Sequence, residues 1–356
     1  MSSLYIDRSG SKLKLQNNAL VCYENEERIG TIPLAPIDRI YLKGDVTLQA
    51  SLLAKLGDLG IGVTCLSGRK NIPTLFMSKS HNDASRRLNQ YAVATNEKFC
   101  LAFAHKLILL KTITQKNWLW QASNARPDKK VAMSKKANEL EKTIKKIIEQ
   151  NTLPSLRGLE GSAASTYFTA LSIYLPPALK FVGRNRRPPK DPFNAVLSLS
   201  YTLLHSEAVL AIYGAGLDPY IGFFHSIDFG RESLACDLIE PLRPVIDNWI
   251  LGCFRDRTLR VEDFSMANGG CMLGKSGRIR YYQAYEKKVI TWRKILTEGC
   301  LDLIHILQTY RPEIPKPQRK YNQTLNNIPA EINWEEILEP YFFNQKNMIT
   351  SLDFRF

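Results

Sequence analysis

Residues 74–122 read TLFMSKSHNDASRRLNQYAVATNEKFCLAFAHKLILLKTITQKNWLWQA, and the change of period inside them decides the fold reading. Up to Met77 the apolar residues come in short β-type runs. Beyond His81-Asn82, from Ala84 to Ala122, they recur every three to four positions through a stretch nearly free of Gly and Pro, the spacing of an amphipathic helix. A domain boundary is therefore expected near residues 78 to 84.

Upstream of that switch the runs LYID, KLKLQ, LVCY, RIGTIP, RIYL, VTCL and TLFM are separated by Gly, Asp-Arg and Asn-Asn turn signals, which predicts a compact, mostly-β domain. One helix interrupts it, with Leu48, Leu52, Leu53, Leu56 and Leu59 at helical spacing before the stop at Gly60-Ile61-Gly62. Downstream, Pro127-Asp128 marks a loop, and the rest of 125–150 reads as a Lys-rich helix, either a solvated face or a surface turned towards DNA. Further helices are expected at 161–175, 192–213, 233–253 and 281–309. The fold class is thus α+β: a β-rich domain over 1–80, a larger all-α domain over 84–310, and a Pro- and Lys-rich extension over 311–356.

Lys and Arg total 48 against 34 Asp and Glu, a net charge of +14, and the pI is about 9.4. Such a field attracts polyanions, nucleic acid first. The seven cysteines are scattered, with no CxxC pair, and read as reduced packing residues of a cytoplasmic protein. The start MSSLYIDRSG lacks a signal-peptide pattern, and no uninterrupted apolar run is long enough to span a bilayer, so no membrane is expected. P-loop, dinucleotide, GxSxG and HExxH motifs are missing, which removes the kinase, ATPase, serine-hydrolase and zinc-protease readings.

Metal-ion phosphoryl chemistry needs hard oxygen ligands, often with one imidazole, converging from separate elements. Glu160 precedes the small run Gly161-Ser162-Ala163-Ala164, though a carboxylate in the first turn of a helix also complements the dipole. His225 follows a tight loop set by Gly214, Gly216, Pro219 and Gly222, as a ligand or as a satisfied structural histidine. Asp237 and Glu240 lie three apart and share a helical face, approximately so because Pro241 and Pro244 bend the chain. Around them, Arg184, Arg186 and Arg187 form a proline-stiffened basic loop suited to phosphate, and Tyr167 stands two helical turns beyond Glu160, as a base contact or as core filler. Lys275, Arg278 and Arg280 are interleaved with aromatics, as in a backbone groove or an ordinary amphipathic helix.

The ordered motifs LEGSAASTYF (159–168), NRRPPKDPFNAVLSLSYTLL (185–204), GLDPYIGFFHS (216–226) and SLACDLIEPLRPVID (233–247) resemble those of the CRISPR-associated integrase family, and PLAPIDRIYLKGDVTLQASLLAKLGDLGIGV (33–63) resembles its β-domain. The resemblance covers residues 3 to 310. It implies a β-sandwich-like N-terminal domain, a helical catalytic domain, a homodimer formed largely through the N-terminal domains, and assembly with the small Cas partner subunit. It also implies Mg²⁺ or Mn²⁺ held by Glu160, His225 and Glu240, with the neighbouring acidic residue Asp237 as a further candidate ligand. Many members carry Asp where this chain has Glu240. The implied activity is that of a metal-dependent endonuclease and integrase on double-stranded and branched DNA, in which a prespacer 3′-hydroxyl attacks a phosphodiester at the repeat border. A stand-alone nuclease for branched DNA and a non-catalytic DNA-binding scaffold are the competing readings.

Overall fold

The computed structural model describes residues 2–66, 74–76, 81, 83–185, 188–267 and 269–310. The expected extension 311–356 lies outside the described residues, as do Arg186 and Arg187.

The N-terminal part contains eight described strands and one helix: β1 (Ser2–Asp7), β2 (Ser11–Gln16), β3 (Ala19–Glu24), β4 (Glu27–Pro33), β5 (Ile37–Lys43), β6 (Val46–Leu48), α1 (Ala50–Asp58), β7 (Gly62–Cys65) and β8 (Thr74–Phe76). They form two four-stranded sheets, ordered β4-β3-β2-β6 and β1-β5-β7-β8. Left-handed pairs at Asn17-Asn18 and Asn25-Glu26 turn the β2–β3 and β3–β4 hairpins; two residues of positive φ match the twist of the strands they join. In the second sheet β1, β5 and β7 run parallel, and β5 is buried on both faces.

Alternation along that sheet decides where the two domains meet. Ile40, Leu42 and Val63 point to one side and pack with Leu13, Leu20, Leu52 and Leu56, the core shared with the other sheet and α1. Tyr41 and Leu66 point to the other side and join the core of the helical domain. Tyr5 lies between the rings of Tyr41 and Tyr282, at centroid distances of 4.9 and 4.4 Å. The sheet is thus a wall common to both domains.

The helical domain comprises α2 (Ala84–Ala94), α3 (Glu97–Ala125), α4 (Lys130–Ile148), α5 (Leu153–Tyr174), α6 (Pro192–Gly214), α7 (Ser233–Ile239), α8 (Arg243–Arg255), the hairpin β9 (Phe264–Ala267) and β10 (Gly270–Leu273), and α9 (Lys275–Tyr310). The hairpin is the departure from an all-α domain. The periodic stretch 84–122 divides in two because Asn96 caps α3, its side chain accepting the Phe99 N–H. The helix expected at 233–253 breaks into α7, one 3₁₀ turn over 240–242, and α8, since Pro241 cannot donate to the helical ladder. α6 is long and apolar enough to cross a bilayer, but it is mostly buried within this domain. α9 buries Tyr281, Tyr285, Val289, Trp292, Leu296, Cys300, Leu303 and Leu307 along one face.

Candidate active site

Glu160 projects from the middle of α5, which begins at Leu153 rather than at 161; it is therefore not a first-turn residue complementing the dipole. Glu240 sits in the 3₁₀ turn between α7 and α8, where Pro241 redirects the chain. His225 lies on the loop before α7. The structure brings Glu160 and Glu240 together on the ammonium of Lys111 from α3, with His225 beside Glu240. Lys111 Nζ donates to Glu160 Oε1 and, at 2.5 Å, to Glu240 Oε2. His225 Nε2 is 4.0 Å from Glu240 Oε1.

Asp237 takes a different part from the one expected of a metal ligand. It is fully buried. Its Oδ2 accepts the backbone N–H groups of Phe223 and Phe224 at 2.7 and 3.0 Å, and its Oδ1 accepts the N–H of His225 at 2.9 Å and the ring Nδ1–H at 2.6 Å. With four donors the carboxylate is engaged on both oxygens. Against a carboxylate Nδ1 must be the donor, so Asp237 orients the ring and leaves Nε2 as its other end, the arrangement in which a carboxylate orients a ligating histidine. Gly222 makes the arrangement possible: a Cβ there would lie 2.7 Å from Asp237 Oδ2 and 2.7 Å from the Ser233 carbonyl carbon.

Two arginines complete the frame. Arg157, one turn before Glu160 on α5, donates to the Phe224 carbonyl at 2.7 Å and so ties that helix to the histidine loop. Arg243 Nε stands 3.1 Å from Glu240 Oε1, with its guanidinium over the Tyr201 ring at 4.9 Å. Burial alone would raise the Glu240 carboxyl, but Arg243 and Lys111 outweigh it and hold the group at about 2. Glu240 is consequently ionised at any neutral pH. Lys111, Arg157 and Arg243 were missed in the sequence, where the available signals were a lone Lys inside the apolar run LILLKTIT and an Arg wedged between two prolines.

The donor set suits a small divalent cation: two carboxylates and one imidazole nitrogen, supplied by three separate elements and braced from behind. Among the described residues no three carboxylate, imidazole or thiol groups stand at the mutual spacing of a formed metal site; here the Lys111 ammonium separates the two carboxylates. That an ammonium sits between them shows that the position favours a cation.

The expected nucleic-acid contacts fare less well. Tyr167 is fully buried, edge-on to Trp118 and Phe168, so it has no surface to offer a base or phosphate. Tyr281, Tyr282 and Tyr285 are likewise buried, and the reading of 275–288 as a groove with stacking platforms is corrected accordingly. Within that segment Arg278 pairs with Asp7 of β1, and Arg280 with Asp263 and the Thr258 carbonyl; only Lys275 of the three remains exposed. Arg184 donates to Asn194 Oδ1 at 2.9 Å and to Ser198 Oγ at 3.2 Å, bracing its loop against α6.

A family described as CRISPR associated protein Cas1 matches residues 4–287. The CRISPR-associated endonuclease Cas1 1 of Thermodesulfovibrio yellowstonii is 38% identical over 298 residues, 83% of this chain and 93% of that relative. The chain spans about half the length of curated relatives in which an exonuclease Cas4 is fused to the endonuclease Cas1. Among solved structures, a Cas1 protein from Thermotoga maritima is similar at a TM-score of 0.75 and 25% identity, covering 86% of this chain and 97% of that one. A casposase bound to integration product shares the fold, with a TM-score of 0.75 at 19% identity over 92% of this chain and 98% of that one.

Proposed function

The chain belongs to the Cas1 family of CRISPR-associated proteins, and on that premise we propose that it is a metal-dependent DNA endonuclease and integrase that inserts prespacer DNA into a CRISPR array. The observation that supports the reading is that Glu160 and Glu240 share one ammonium while His225, its imidazole held by Asp237, stands beside Glu240. These three residues would hold Mg²⁺ or Mn²⁺. A bound divalent ion supplies Lewis-acid chemistry, stabilising charge on the attacked phosphate and on the leaving oxygen.

The protein's own groups set up that chemistry. Glu240 stays ionised because Arg243 faces it, Asp237 holds the His225 ring with Nε2 towards Glu240, and Arg157 and Gly222 hold the loop in place. The acceptor is double-stranded or branched DNA, drawn by a net charge of +14, mostly through phosphates, so binding weakens steeply with salt. Attack by water gives cleavage, attack by a prespacer 3′-hydroxyl gives joining, and one site serves both. The working assembly is a homodimer joined by the small Cas partner subunit, acting in the cytoplasm.

The test is cleavage of branched DNA and strand transfer into supercoiled repeat-bearing plasmid, with the partner subunit present, in Mg²⁺, Mn²⁺ or EDTA. Glu160→Ala, His225→Ala and Glu240→Ala should each lose about a hundredfold or more while still binding DNA, in line with the loss of a ligand from a catalytic metal. Activity that survives EDTA, or all three substitutions, would refute the assignment.

A further inference from the structure

Lys111 is the charged side chain at the centre of the site that the proposed reaction leaves without a part. Its side chain is 7% exposed, and it rises from an apolar face of α3 flanked by Leu107, Ile108 and Thr112, all buried. A buried ammonium is tolerated only where carboxylates compensate it, and here two do so at once, one on each side. The oxygens it occupies are Glu160 Oε1 and Glu240 Oε2, whereas Arg243 engages Glu240 through the other oxygen, Oε1. Arg243 therefore does not occupy the oxygens that Lys111 holds. Lys111 cannot remain in place when a dication binds both carboxylates, because it stands on the oxygens that face one another.

Resting on the metal reading above, we infer that Lys111 is the site's resident cation and exchanges with the divalent metal: its ammonium holds Glu160 and Glu240 together in the metal's absence, and gives up both carboxylates when the metal enters. The exchange has two consequences. Without it, two carboxylates facing one another inside the protein would repel and open the gap between α5 and the α7–α8 turn, so Lys111 preserves the geometry of the unloaded site. Its presence also weakens metal binding, since every ion that enters must first break two charge-assisted hydrogen bonds. Lys111 is thus a positioning residue that sets the metal threshold.

The test uses the full chain and Mn²⁺ titration calorimetry on wild type and Lys111→Met, which keeps the apolar stem and removes the charge. Lys111→Met should bind Mn²⁺ at least roughly fivefold more tightly, the lower end of ordinary coupling between two ligands of one protein, and its metal-depleted form should melt at a lower temperature. In parallel, on ¹⁵N-lysine wild type, the hydrogen-bonded Lys111 ammonium resonance should disappear on saturation with Mg²⁺; this measurement does not depend on the variant folding. Equal or weaker Mn²⁺ binding by a folded Lys111→Met, or an ammonium signal that persists through Mg²⁺ saturation, would overturn the exchange while leaving the metal site standing. If neither protein binds Mn²⁺, the metal reading itself fails and the exchange falls with it.

Discussion

Asp237→Asn isolates the part played by the buried carboxylate, because the substitution preserves shape and removes acceptor capacity. Asp237 receives four hydrogen bonds, two on each oxygen. An asparagine has one carbonyl oxygen, and its amide NH₂ must then face two donors whichever way it is turned, so two of the four bonds are lost. Hydrogen bonds to a charged group contribute ~1.5–3 kcal/mol each, giving about 3–6 kcal/mol before the loop relaxes. For a chain of this size ~1.3 °C accompanies each kcal/mol, so the melting temperature should fall by about 4 °C or more. Release of the imidazole should weaken Mn²⁺ binding by about ten- to a hundredfold, the usual effect of removing a histidine's orienting partner. Thermal melts followed by circular dichroism in EDTA, together with Mn²⁺ calorimetry, read both quantities. A variant that melts within about 2 °C of wild type and binds Mn²⁺ within about threefold of it would show that Asp237 does not hold the histidine loop.

Gly222→Ala places a methyl group 2.7 Å from both Asp237 Oδ2 and the Ser233 carbonyl carbon; neither can retreat freely, so strand transfer should be lost along with about 1–3 kcal/mol of stability, and full activity would show that the loop has slack. Tyr167→Phe should leave DNA affinity unchanged in a salt titration, because the ring is fully buried; a weakened complex would restore the direct contact rejected above. Burial pushes the Asp247 carboxyl, which accepts the Tyr201 hydroxyl at 2.5 Å, up to about 7. Between about pH 4 and 7 the folded protein therefore keeps a proton that the unfolded chain has released, and the stability from this group is lost as pH rises through 7. Asp247→Asn is neutral throughout, so urea unfolding at pH 5 and pH 8 should find the variant gaining on wild type by a few kcal/mol, in order of magnitude, at the higher pH; a difference independent of pH would refute this.

The amino-acid sequence determined the order of the architecture. The passage from alternating runs to helical spacing at 78–84, the turn signals among the strands and the capped, Gly-poor helices are local properties, and local properties dominate where each element starts, stops and buries a face. The prolines at 241 and 244 announced a bend, and the four ordered motifs picked out Glu160, His225 and Glu240; the fold sets Glu160 and Glu240 on one ammonium and His225 beside Glu240. Tertiary structure alone decided what each polar residue does. Lys111 meets Glu240 across 129 positions of chain, and no periodicity announces that meeting. Asp237 and Glu240 look alike as an acidic pair; three backbone N–H groups and an imidazole aimed at one of them, and two cations aimed at the other, make the first a brace and the second a candidate ligand. Arg278, Arg280 and Tyr167 likewise looked like a surface for DNA until Asp7, Asp263 and the α3–α5 core claimed them. A side chain's chemistry is a property of its identity, but its role follows from which partners surround it and whether water reaches it, and both are settled only when distant segments pack.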